Sequence, residues 1–198
     1  MAEDAVLTGE KMTRYRLSNS TYLKRGLPML LVPVVLLLII LFSNDFYFLE
    51  YFHVITGSAW TGMDLVMGLF FAFVMRGLSN PERVEVSKRL IPTMLFFMPS
   101  IASVTVTAGL YTAIHLHIAF LSPYFIATGI IVLILIVQGF ALFLPNELRI
   151  YLEILRGGKD VGKIVRLTMF NLKLSLSQLV FQIFVILLMA HFATGYAL

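Results

Sequence analysis

Long apolar runs separated by short polar segments organise this chain. About 20 apolar residues are needed to cross the hydrocarbon core of a bilayer, so the runs near 27–43, 47–75, 91–120, 122–145 and 167–194 predict five transmembrane helices. An odd number of crossings places the termini on opposite sides. The first run is continuous aliphatic sequence after Pro33 and reads as a lipid-facing anchor. It is too long for a cleaved signal peptide and lacks a small-residue cleavage site. Residues 1–25 form a polar N-terminal segment. Residues 146–166 read as a loop in which Leu148, Tyr151, Leu152 and Leu155 recur at helical spacing while Arg149, Glu153 and Arg156 face away, which predicts an interfacial helix closed by Gly157 and Gly158. The expected architecture is all-α, a single integral membrane helical bundle over residues 1–198.

Composition agrees with that pattern. Hydrophobic residues make up 59% of the chain and charged residues 13%, where a soluble domain has about a quarter charged. There is no Cys, which excludes disulfides, thiolate metal sites and Cys nucleophiles. The net charge of +4 is a matter of sidedness rather than of nucleic acid. Fourteen of the fifteen Lys and Arg fall before the first run, between the second and third, or between the fourth and fifth. The opposite connections, Ser43 to Phe46 and the turn at Ser122 and Pro123, carry Asp45 as their only charge. The positive-inside rule then puts the N-terminus in the cytoplasm and the C-terminus outside, as in a multi-pass plasma membrane protein. HExxH, GxSxG, P-loop and GxGxxG motifs are all missing, so hydrolytic and nucleotide chemistry have no basis in the sequence.

Ionisable and polar residues at membrane depth are the functional candidates. On the second run one helical face carries His53, Gly57, Trp60, Asp64 and Gly68. Its glycines permit close approach, the Trp60 indole N–H calls for an acceptor, and Asp64 lies near the bilayer centre. On the third run Ser100, Ser103, Thr107, Tyr111 and His115 form a second stripe, beside a kink expected at Pro99. His117 is off that face. On the fifth run Asn171, Ser175, Gln178 and Gln182 share a face, with Lys173 and His191 nearly opposite. Lys173 either snorkels to the inner surface or pairs with Asp64.

A b-type haem in a helical bundle needs imidazoles from facing helices, small residues beside the macrocycle and aromatic walls. His53 and His115 satisfy the first need, Gly57 the second, Trp60 and Tyr111 the third. The same imidazoles suit copper. The pairs Met63 with Met67 and Met94 with Met98 lie too deep to join an outer histidine site and read as packing, or as a copper pathway.

The segment HVITGSAWTGMDLVMGLFFAFVMRGLSNPERVEVSKRL, a following helix with SVTVTAGLYT, and the final RLTMFNLKLSLSQLVFQIFVILLMAHF resemble the CopD and HemJ-like group of small membrane proteins over residues 50–195. The resemblance implies a compact helical bundle in which His53 binds haem b or copper. In HemJ-like members it further implies protoporphyrinogen oxidation with a quinone as acceptor, and in CopD-like members copper handling. This chain has an additional N-terminal span and no Met- and His-rich outer loop. Leu172 stands where HemJ-like proteins carry Glu.

The expectation is therefore a five-helix redox protein or subunit with one b-type haem near the outer face. His53 and His115 are its axial ligands, Asp64 relays protons, and electrons pass to or from a quinol or a partner membrane subunit. The alternatives are copper binding or passage, and a structural accessory subunit or homo-oligomer whose polar stripes face other membrane subunits.

Overall fold

The computed structural model describes residues 19–195, with the side chains of residues 26–195. Among the described residues the chain is helical and has no strand. Its five long helices are α1 (Asn19–Ser43), α2 (Phe46–Gly77), α3 (Asn80–His115), α4 (Pro123–Leu155) and α5 (Val161–Thr194). Each contains a stretch long and apolar enough to cross a membrane. The short connections reverse the chain, so neighbouring helices alternate in direction. The α2–α3 and α4–α5 turns lie at one end, where the Lys and Arg residues cluster, called here the basic end.

Local chemistry sets the boundaries. Asp45 caps α2 by accepting from the Tyr47 and Phe48 amides. Glu82 accepts from the Ser79 amide at 2.7 Å and its hydroxyl at 2.6 Å, which with Pro81 opens α3. Ser122 precedes Pro123 and accepts from the Phe125 amide. Asp160 caps α5 through the Lys163 amide. The expected stop at Gly157 and Gly158 is present, with φ of 101° and 65°, values that favour glycine.

Two boundaries differ from the expectation. Helix α3 starts at Asn80, because the charged stretch before Ile91 is already helical. At about 1.5 Å per residue its 36 residues reach roughly 54 Å, well past a hydrocarbon core of about 30 Å. The expected loop from residue 146 is instead the end of α4, continuous with the fourth span. Its buried face is Asn146, Glu147, Ile150 and Tyr151, while Leu148 and Leu152 are exposed. Upstream of this stretch α4 contains a wider π-helical segment at Gln138–Phe143, which adds a residue to the turn. A second such segment, Val66–Phe71, lies in α2.

Packing centres on α3, which lies against α1, α2 and α5 and, at the basic end, against α4. An apolar cluster of Leu49, Phe52, Trp60, Ile101, Val104, Ala108 and Leu135 fills the half away from the basic end. Val84, Ile91, Ile150, Tyr151 and Ile164 form a second cluster at the basic end. Helix α1 is peripheral, as expected of an anchor: most of its apolar side chains are exposed, and its attachments include Leu37 and the Ser100 hydroxyl, which donates to the Leu30 carbonyl at 2.8 Å. Lys163 and Glu153, 3.0 Å apart, tie the start of α5 to the end of α4.

Candidate functional site

Between the two apolar clusters lies a buried polar layer. Asp64 is fully buried on α2. Gln182 Nε2 on α5 donates to its Oδ2 at 2.9 Å, and Ser175 and Trp60 face the same carboxyl. Asp64 Oδ1 has no hydrogen-bond partner. The stripe read along α5 is buried throughout: Asn171, Ser175, Gln178 and Gln182 all point inward. Asn146 donates to Asn171 at 3.1 Å, and Gln178 to the Leu135 carbonyl at 3.4 Å.

A second acid shares this layer. Glu147 on α4 is 4% exposed and close enough to Asp64 for their charges to repel. Neither carboxyl has an ion-pair partner among the described residues. Lys173 is exposed, so the alternative in which it pairs with Asp64 is not realised; the carboxamide of Gln182 takes that place. Two buried carboxylates without a cation are costly.

Glu147 also lines a cavity of about 230 Å³ with Trp60, Met98, Thr107, Gly139 and Gln178. The cavity exists because α3 and the first part of α4 diverge, packing on each other only near the basic end. Ser103 of α3 and Phe140 of α4 stand at its rim and are exposed, so it opens sideways between the two helices. Its wall is largely apolar. The polar side chains among its lining are Glu147, Gln178, Trp60, Ser103 and Thr107.

The residues expected to hold a haem are distributed differently. His53 is half-buried, and its Nδ1 lies 2.9 Å from the Thr105 carbonyl of α3. Gly109 makes room for the ring: a Cβ there would stand 2.5 Å from His53 Cε1. Gly57 meets Thr105 Cγ2, which a Cβ on Gly57 would approach to 3.5 Å, so at this level the seam is filled by protein. His115 is exposed, stacks on Phe46 with ring centroids 5.8 Å apart, and bonds the Tyr111 carbonyl. Phe46 precedes His53 by two turns of α2, and the two imidazoles engage separate partners. Tyr111 is 41% exposed rather than a wall of an interior site. Among the described residues no group of three or more His, Asp or Glu gathers as a metal site.

The α3 stripe fails for an identifiable reason. Ser103 donates to the Pro99 carbonyl and Thr107 to the Ser103 carbonyl. Hydroxyls satisfied within their own helix need no interior partner. The face that α3 buries is instead Ser100, Val104, Thr105, Ala108 and Thr112.

No family model, curated protein or solved structure matches this chain.

Proposed function

We propose that this protein is a plasma membrane protein, its basic end in the cytoplasm, that takes the head of a quinone-class molecule from the bilayer into the cleft between α3 and α4, with the buried acid pair holding the protons that such a molecule exchanges. One observation carries the reading: a laterally open cavity with a buried, cation-free carboxyl in its wall. An apolar cavity of about 150 Å³ holds a benzene ring, so about 230 Å³ accepts one substituted ring. A porphyrin is several times larger. The lateral mouth suits a ligand whose tail stays in lipid. Gln178, which gives one N–H to the Leu135 carbonyl and keeps a second, supplies a hydrogen-bond donor for a quinone carbonyl, and Glu147 supplies an acceptor for a quinol hydroxyl.

Trp60 is the only tryptophan in the chain and lines the cavity, so its fluorescence reports occupancy directly. Titrating the full-length protein in detergent with a short-tailed quinone should give saturable quenching. Gly139→Phe, which fills the cavity from α4, should remove the saturable component. Unsaturable quenching that is equal in both proteins would overturn the reading.

A second reading keeps the histidine expected to bind haem or copper. With Nδ1 anchored on the Thr105 carbonyl, His53 presents only Nε2 to a metal, the arrangement ligating histidines commonly adopt. A haem there would supply one-electron chemistry, and His53 is the residue of this pair of helices that would hold it. Protein isolated with endogenous haem should then show a Soret band that His53→Ala abolishes and His115→Ala leaves intact. An absent band removes the haem reading without touching the cavity.

A further inference from the structure

The acid pair is connected to the basic end of the bundle by a file of buried polar groups that neither the cavity nor His53 explains. Ser87 of α3 and Thr168 of α5 are buried at a level where their surroundings are otherwise apolar. Their hydroxyl oxygens are 3.1 Å apart, and either can be the donor. Ser87 also lies 2.8 Å from the Arg83 carbonyl, one turn nearer the basic end. Its single proton therefore has two acceptors, which lets the hydroxyl switch direction. Arg83 itself is held away from the file: its guanidinium donates to the Met75 and Arg76 carbonyls.

Beyond Thr168 lies a pocket of about 20 Å³, lined on its polar side by Thr168, Asn171, Ser175 and Glu147. A water needs at least about 10–15 Å³ and two to four polar partners. This pocket meets both conditions for one water. Asn171 is 4% exposed, its Oδ1 accepts from Asn146, and its Nδ2 has no hydrogen-bond partner. An unmatched donor at a water-sized polar pocket is the usual mark of an internal water. On the far side, Ser175 reaches the Asp64 carboxyl, and Glu147 stands in the walls of both this pocket and the larger cavity.

We propose that Ser87, Thr168 and one water in this pocket form a proton path joining the basic end to the acid pair at Glu147. A hydronium ion from water at the basic end gives a proton to the Ser87 oxygen as the Ser87 proton passes to Thr168. The Thr168 proton passes to the pocket water, and a water proton passes to a Glu147 carboxylate oxygen. One O–H bond forms and one breaks at each hydroxyl and at the pocket water, one forms at Glu147, and no electron moves. The path rests on the proposed proton-holding role of the acid pair but not on the identity of any ligand in the larger cavity.

The test needs no ligand. Full-length protein reconstituted in phosphatidylcholine vesicles is transferred into deuterated buffer near neutral pH. The C=O stretch of protonated carboxyls is followed by infrared difference spectroscopy, with Asp64→Asn and Glu147→Gln assigning the band. The wild type should show a protonated-carboxyl band that shifts promptly. In the Ser87→Ala/Thr168→Val variant the band should persist and its exchange should slow on the order of tenfold or more, while Thr168→Ser, which keeps the hydroxyl, should exchange like wild type. Equal rates in wild type and the double variant would overturn the path. So would slowing in Thr168→Ser as large as in the double variant, or no band from Asp64 or Glu147 in the wild type. Loss of quinone quenching with these results intact would remove the ligand reading alone.

Discussion

Gln182 Nε2 on α5 donates to Asp64 Oδ2 on α2 at 2.9 Å, joining residues 118 positions apart in the middle of the bundle. Carboxamide rather than cation is the partner, which leaves the acid free to be neutral. Replacing Gln182 by Leu strands a buried carboxyl and should cost about 1–3 kcal/mol, the penalty for a buried polar group without its partner. Asp64→Asn keeps an acceptor for Gln182 and should cost less. The double variant Asp64→Leu/Gln182→Leu should recover part of the loss. Thermal unfolding in detergent measures these together with Asp64→Leu, and a loss in the double variant equal to the sum of the Asp64→Leu and Gln182→Leu losses would contradict the coupling.

Gly68 is the contact point between α2 and α5. A Cβ at Gly68 would stand 2.7 Å from the Leu176 backbone nitrogen, an atom fixed inside a helix. Gly68→Ala should therefore push the two helices apart and destabilise the protein by about 1–3 kcal/mol. Gly77, near which a Cβ would meet nothing, serves as the matched control. Equal unfolding temperatures for the two alanine variants would contradict this packing.

The cap of α3 lies in the charged stretch outside the apolar slab and gives the fold a pH dependence at its basic end. Hydrogen bonds from the Ser79 hydroxyl and amide hold the Glu82 carboxyl below its ordinary value of 4.5. A depressed carboxyl contributes stability that is present above 4.5 and is lost as pH falls through the folded-state value. Amides of the first turn of α3 should exchange faster in Glu82→Gln than in wild type at neutral pH. That difference should vanish at acidic pH once the wild-type carboxyl is protonated. A difference that persists in acid would contradict the assignment.

How legible each polar side chain is in the sequence depends on how it meets its hydrogen-bonding needs. Asp64, Gln178 and Gln182 cannot satisfy themselves within their own helices, so their faces read correctly from periodicity and all are buried. Ser103 and Thr107 bond back to their own helix, so their spacing imitates an interior stripe that is not there. His115 shares that helix end and faces outward. Glu147 is concealed differently: Asn146, Glu147 and Arg149 resemble a surface loop in composition, and the π segment upstream breaks the helical phase that would have carried the α4 face to Glu147. The run Gln138, Gly139, Asn146 and Glu147 in otherwise aliphatic sequence is the trace it left.

The widened turn at Gln138–Phe143 amounts to an indexing device. Wound as a regular α-helix with all its residues, it would turn one residue's worth further and swing everything after it by about 100°. Glu147 would then look toward acyl chains and Asn146 would take its place in the layer. The dyad's second member thus owes its place less to its own neighbours than to the wide winding of one turn, and straightening that turn would uncouple the acids while leaving five spans.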